Sequence, residues 1–188
     1  MRILCVIDMQ NDLITGSLGT KEAETIVSNV TDKIKAYAEL DTYEDVVILC
    51  TLDTHDKDYL DTLEGKNLPI PHCIKNTEGW NINTKIYDVL VEADNNTGIH
   101  FHIIQKNTFG SVKLAETIRN YNKNKGVDTV ELVGLCTDIC VISNALLIKA
   151  FCPEIHIAVD SSCCAGVTPE AHTAALKTME SCQIQITR

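Results

Sequence analysis

Six short apolar runs, separated by stretches with amphipathic-helix spacing, constrain this chain more than any other feature. They are ILCVID (3–8), VVILCTLD (46–53), HFHIIQK (100–106), TVELVG (129–134), EIHIAVD (154–160) and CQIQIT (182–187). Continuous apolar runs of this length suit strands buried on both faces, as in a parallel sheet between two helical layers. Residues 21–38 carry Ile26, Val30, Ile34 and Tyr37 at helical spacing. Further helices are expected over about 111–121, 137–150 and 169–179. The segment 54–98 is the least regular and closes with the helix-like TKIYDVLVEA. Alternation of this kind predicts right-handed βαβ crossovers and a three-layer α/β/α fold, with a mainly parallel, doubly wound sheet of about six strands. With 188 residues and no repeat or linker, residues 1–188 are expected to form a single domain.

Composition narrows the function classes. A formal charge of −10 argues against nucleic acid or an anionic membrane as partner, and no apolar run reaches the length of a membrane span. MRILCVIDMQ does not read as a signal peptide, because its apolar run is short and meets Asp8. Nine cysteines without such a signal fit a reduced, cytoplasmic compartment. Cys5, Cys50 and Cys182 lie in apolar runs and are expected to pack; Cys152, Cys163 and Cys164 have no metal-ligand spacing. The first strand is followed by DMQNDLITG, not GxGxxG, so a dinucleotide site has little support.

In an open parallel sheet, ligands bind beyond the carboxyl ends of the strands. Here those ends carry Asp8, Asp53, Lys106, the Cys136–Cys140 turn and Asp160. Polar residues open most loops, so each alone is unremarkable. A carboxylate, an ammonium and a thiol on one edge are what a thiol hydrolase needs. Thr137 is expected to cap the fourth helix, with Asp138 in its first turn. Cys140 then lies inside that turn, where the dipole and free N–H groups favour a thiolate. Cys136, on the strand side of the cap, gains less. An inert core thiol is the alternative for Cys140; convergence with Asp8 and Lys106 makes it the nucleophile candidate.

DMQND at 8–12, Lys106 and GLCTDICV at 134–141 together resemble the cysteine hydrolases of the isochorismatase-like superfamily, and within it the nicotinamidase branch. The order of elements fits across essentially the whole chain. The resemblance implies a triad of Asp8, Lys106 and Cys140, a cis peptide at Leu135–Cys136, and an oxyanion hole made by the backbone N–H groups of Cys136 and Cys140. It implies amide hydrolysis through a thioester, with nicotinamide as the first substrate and another small amide or carbamoyl compound as the alternative. It also implies one divalent ion, with zinc first and manganese or iron as alternatives, held by Asp53, His55 and His72, with Glu64 a further ligand. One carboxylate with imidazoles suits these metals. A small-molecule amide partner and a homo-oligomer are expected.

The chain departs from the family pattern at the substrate. Leu68-Pro69-Ile70-Pro71 holds no aromatic to stack on a pyridine ring, and Leu13 follows Asp12 where many relatives have phenylalanine. Leu13, Trp80 and Phe109 are the candidates for the pocket wall. Two rival readings are a non-catalytic metal-binding or interaction module, and a redox sensor using Cys136 and Cys140. The complete triad argues against the first, and the four-residue spacing of the thiols argues against the second.

Overall fold

The apolar runs pair side by side because each presents hydrophobic side chains to both faces of a sheet. In the computed structural model, which describes residues 1–40, 45–97 and 99–188, the first half runs β1 (Arg2–Ile7), α1 (Asn11–Ile14), α2 (Lys21–Ala38), β2 (Val46–Asp53), α3 (Leu63–Asn67), α4 (Thr84–Thr97) and β3 (Phe101–Lys106). The second half runs α5 (Val112–Lys125), β4 (Thr129–Leu135), α6 (Ile142–Phe151), β5 (His156–Ala165), α7 (Pro169–Ser181) and β6 (Gln185–Thr187). A 3-10 turn at Tyr59–Asp61 precedes α3, and a π-helical turn at Thr137–Val141 leads into α6.

Helix α2 shows how sequence sets an element. Thr20 caps it by accepting the Ala23 N–H at 3.0 Å, and Glu22 and Glu24 meet the positive end of the helix dipole. Its stripe of Ile26, Val30, Ile34 and Tyr37 is buried. With Ile86 and Leu90 of α4, that stripe packs on Leu4, Val6 and Ile48 of the sheet. The other face of β1 (Ile3, Cys5 and Ile7) meets Leu114 and Ile118 of α5, Ala145 and Ile148 of α6 and Met179 of α7. Full burial of one such aliphatic side chain contributes about 1.5–3 kcal/mol. Helix α5 runs past the expected end near 121, and Gly126, at φ 73°, terminates it where other residues are strained.

All strand pairs are parallel, in the order β3-β2-β1-β4-β5-β6. The chain winds outward from β1 through β2 to β3, then returns to place β4 against the other side of β1. The reversal opens a crevice at the carboxyl ends of β1 and β4. Gly134 makes this seam possible: its φ is 118°, and a Cβ there would collide with the Ile7 carbonyl.

Two expectations are corrected here. Asp160 does not stand at the carboxyl edge of the sheet, because β5 continues through it to Ala165. Between the pairs Leu132–Val159 and Gly134–Cys164 the partner strand β5 takes up three extra residues (five steps against two), a bulge that places Asp160 beside α2. Lys33 meets its Oδ2 at 2.7 Å, and Ser162 donates to Oδ1 from its N–H at 2.9 Å and its hydroxyl at 2.6 Å. Cys182, expected to pack in a strand, is an exposed residue at the end of α7, since β6 begins only at Gln185.

Burial opposes the charge of Asp160, but Lys33 and Ser162 outweigh it and hold the carboxyl below the usual range. A group whose pKa is lowered by folding stabilises the fold above its unfolded pKa. That contribution is lost as pH falls through the folded value. Asp160→Asn is therefore expected to cost about 1–3 kcal/mol at neutral pH. In denaturant titrations the deficit should shrink as the pH becomes acid; a pH-independent deficit would show that the charge contributes nothing.

Candidate active site

The crevice is built from the residues that follow β1, β2, β3 and β4. Directly after β1, Asp8 takes a left-handed conformation (φ 49°), uncommon outside glycine but tolerated by aspartate. It is completely buried. Thr51 of β2 fixes it: the Asp8 N–H donates to the Thr51 carbonyl, and the Thr51 hydroxyl donates to Asp8 Oδ1 at 2.7 Å. Register does the next step. Asp53 and Lys106 are paired residues on β2 and β3, so their side chains leave the same face of the sheet. Lys106 Nζ lies 2.7 Å from Asp8 Oδ2, 3.3 Å from Asp53 Oδ1 and 3.4 Å from Cys140 Sγ.

Cys140 reaches this ammonium from the π-helical turn. The expected Thr137 cap is not what starts the helix. Cys136 occupies the cap position, without a side-chain bond, and its carbonyl accepts the N–H of Ile139 at 3.1 Å and of Val141 at 3.0 Å. Thr137 is buried, with its hydroxyl 2.8 Å from His172 Nδ1 on α7, while Asp138 accepts the Val167 N–H at 3.0 Å. Tertiary partners claim both side chains, so local capping loses. The Leu135–Cys136 peptide is cis. Asn144, one turn beyond Cys140 and fully buried, donates to the Cys140 carbonyl at 2.8 Å and to the Phe109 carbonyl at 3.2 Å, and accepts the Ser111 N–H at 2.8 Å. It ties the thiol-bearing turn to the loop after Lys106.

The electrostatics follow from three acidic groups around one ammonium. Burial would discharge Lys106, but Asp8, Cys140 and Asp53 outweigh that and hold it protonated. Burial pushes the Cys140 thiol well above its ordinary range; Asp8 adds to the rise and Lys106 opposes it. Burial also raises Asp8, against Lys106. Asp8 and Cys140 are thus two neighbouring acids whose ionisation burial opposes and the shared ammonium favours. For Cys136, burial moves the thiol up to about 12, so it offers little thiolate at neutral pH.

Next to this group, Asp53, His55, Glu64 and His72 bring one donor atom each to within 4.8 Å of one another. Asp53 Oδ2 is 3.1 Å from His55 Nε2 and 3.4 Å from His72 Nε2; Glu64 Oε1 is 3.6 and 3.8 Å from the same nitrogens. Such separations suit ligands that each lie about 2.0–2.2 Å from one ion. His72 Nδ1 is 2.9 Å from the Ile70 carbonyl, an acceptor, so Nδ1 carries a proton and Nε2 is the ring atom that faces the carboxylates. Two imidazole nitrogens and two carboxylates converging in a buried cage form a donor set that fits a divalent metal. Burial opposes the charge of Asp53, but His55, His72 and Lys106 outweigh it and keep it ionised. Asp53 therefore turns one oxygen to the imidazoles and the other to Lys106.

Of the three pocket candidates, Leu13 is buried in the hydrophobic core around α2. Trp80 is pinned at Thr54, the residue between Asp53 and His55, its indole N–H donating to Thr54 Oγ1 at 2.9 Å. Phe109 leaves nearly half its surface exposed, 48%. Three further residues shape this site without a motif role in the sequence. Gln10, within DMQND, is fully buried and clasps Asp53, donating to its carbonyl at 2.9 Å and accepting its N–H at 2.7 Å. Thr51 and Asn144 are polar residues inside apolar runs, the signal that marked them.

A thiol, a carboxylate and an ammonium gathered at the switch point of a parallel sheet, beside four donors that could hold a metal ion, define a hydrolase-type α/β centre. Residues 2–188 match the isochorismatase domain, and the chain belongs to that family. It is similar to a nicotinamidase/pyrazinamidase of Mycobacterium tuberculosis, 26% identical over 196 residues that cover 99% of this chain and 98% of the relative. Among solved structures it resembles a pyrazinamidase/nicotinamidase of Streptococcus mutans, at a TM-score of 0.80 and 27% identity with 99% of each chain covered. A pyrazinamidase of Pyrococcus horikoshii in complex with zinc shares the fold at a TM-score of 0.73 and 22% identity, covering 100% of this chain and 98% of its own.

Proposed function

We propose that this protein is a cysteine-dependent amidohydrolase of the nicotinamidase type, converting nicotinamide and water to nicotinate and ammonia. The observation that carries the reading is Lys106 Nζ in contact with both Asp8 and Cys140 Sγ, beside the cage of Asp53, His55, Glu64 and His72. Similarity to nicotinamidase/pyrazinamidase proteins supports the substrate class. Another small amide is the alternative substrate, favoured by the absence of an aromatic residue at 68–71.

In this reading Asp8 takes the thiol proton as Cys140 attacks the amide carbonyl, and Lys106 offsets the charge that develops on sulfur. Backbone N–H groups of Cys136 and Cys140 receive the oxyanion. Asp8 then gives its proton to the leaving nitrogen, ammonia departs, and a thioester remains on Cys140. Water adds to the thioester carbonyl with Asp8 as base, and sulfur leaves as the acid is released. A divalent ion on Asp53, His55, Glu64 and His72, zinc first in preference to manganese or iron, would supply a Lewis acid that orients the substrate by a ring nitrogen. The zinc complex of the Pyrococcus pyrazinamidase supports that preference. We assign all of residues 1–188 to one catalytic domain acting as a homo-oligomer in the cytoplasm. Among the described residues no helix is long and apolar enough to cross a membrane.

Ammonia release from nicotinamide, pyrazinamide and a set of aliphatic amides tests the reading. Turnover of the aromatic amides is expected, with loss of activity but not of circular dichroism after chelation. Full activity in the chelated protein would reject the metal's role, and release from none of these amides would reject the function.

A further inference from the structure

The segment 54–73 looked irregular from its sequence, yet one buried side chain organises it. Tyr59 is 1% exposed. Its ring centroid lies 4.7 Å from that of His55 and 5.0 Å from that of His72, with the ring planes tilted at 60° and 77°. The two imidazoles are 4.9 Å apart, so the phenol closes a three-ring cluster. The Tyr59 hydroxyl donates to the Leu68 carbonyl at 2.9 Å. Leu68 accepts the Ile70 N–H at 2.8 Å, and the Ile70 carbonyl orients His72. The hydroxyl is thus three hydrogen bonds from one ligand.

The main chain of the same residue reaches the third loop ligand. The Tyr59 carbonyl accepts the Thr62 hydroxyl at 2.6 Å, and Thr62 Oγ1 in turn accepts the Gly65 N–H at 3.0 Å, which starts α3 and so fixes the Glu64 backbone. A Cβ on Gly65 would collide with the Tyr59 carbonyl, so only glycine lets α3 close on the tyrosine. His55, Glu64 and His72 therefore each connect to Tyr59, by ring contact, by carbonyl or by hydroxyl.

We propose that Tyr59 is the positioning residue of the metal cage: it holds His55, Glu64 and His72 in ion-binding register, and affinity for a divalent cation depends on it. The proposal rests on the reading of those residues and Asp53 as metal ligands. Partners behind metal ligands typically contribute 10- to 100-fold in affinity. Tyr59→Phe keeps the ring and loses only the bond to Leu68; Tyr59→Leu loses the ring as well.

The test is the Zn²⁺ affinity of the full chain, measured by competition with a chromophoric chelator, together with the thermal midpoint of each metal-free variant. Binding is expected to weaken about tenfold in Tyr59→Phe and about a hundredfold in Tyr59→Leu. Affinity in Tyr59→Phe within about twofold of wild type would overturn the proposal and leave Tyr59 a packing residue, whatever the midpoint does. That variant retains the ring and decides the matter if Tyr59→Leu does not fold. A wild-type chain that binds no Zn²⁺ would overturn both the proposal and the metal reading beneath it.

Discussion

Cys140→Ala is expected to lower ammonia release by on the order of 10⁴-fold or more, because losing a nucleophile removes the covalent route and leaves only binding and oxyanion contacts. Cys136→Ala is expected to stay within about tenfold of wild type, since an oxyanion donor at 136 is a main-chain N–H that alanine retains. The two thiols lie four residues apart and share the same turn, yet only Cys140 touches Lys106. Burial raises both thiols, so the contact with the ammonium is what separates them. Equal losses in the two variants, measured as kcat with thermal midpoints alongside, would sink the assignment of the nucleophile.

The second large effect is expected at Lys106. Its ammonium is the positive charge among Asp8, Asp53 and Cys140. Lys106→Met leaves the two carboxylates and the thiol without it. The Cys140 thiol, already raised by burial and by Asp8, should rise further. The sign is fixed: less thiolate at any given pH, slower alkylation by iodoacetamide, and an inflection displaced to higher pH. Each unit of displacement corresponds to about 1.4 kcal/mol of lost thiolate stabilisation. Removing one partner from a buried ionic group also costs about 3–5 kcal/mol of fold stability, so the profile is read well below the variant's thermal midpoint. An unmoved profile in folded protein would mean that the lysine only packs, and the triad would have to be abandoned.

How much of this was legible in advance depends on range. The frames of α2 and β2 follow from apolar periodicity, a local property, and the observed ends at Lys21, Ala38, Val46 and Asp53 agree with it. The continuation of β5 past Asp160 does not, because it depends on Lys33, more than a hundred residues away, taking up the charge. Thr137 shows the same limit. A threonine before a helix is a good cap by local rules, but His172, 35 residues on, takes its hydroxyl. The convergence of Asp8, Lys106 and Cys140 was legible because strand ends of a parallel sheet converge by topology. Of the candidate metal ligands, Asp53 ends a strand and was legible from topology, whereas His55, Glu64 and His72 follow in the irregular segment and were proposed from motif resemblance. Tyr59 carried no signal, since nothing local marks a phenol that folds back against two histidines.

The most direct measurement of the central claim is a rapid-quench mass spectrum of the protein during turnover of nicotinamide, with peptide mapping of any adduct. The account predicts a nicotinoyl thioester on Cys140 that forms with ammonia release, decays to free thiol and nicotinate, and is absent in Cys140→Ala. Steady turnover while Cys140 remains unmodified, with ammonia release undiminished in Cys140→Ala, would contradict it.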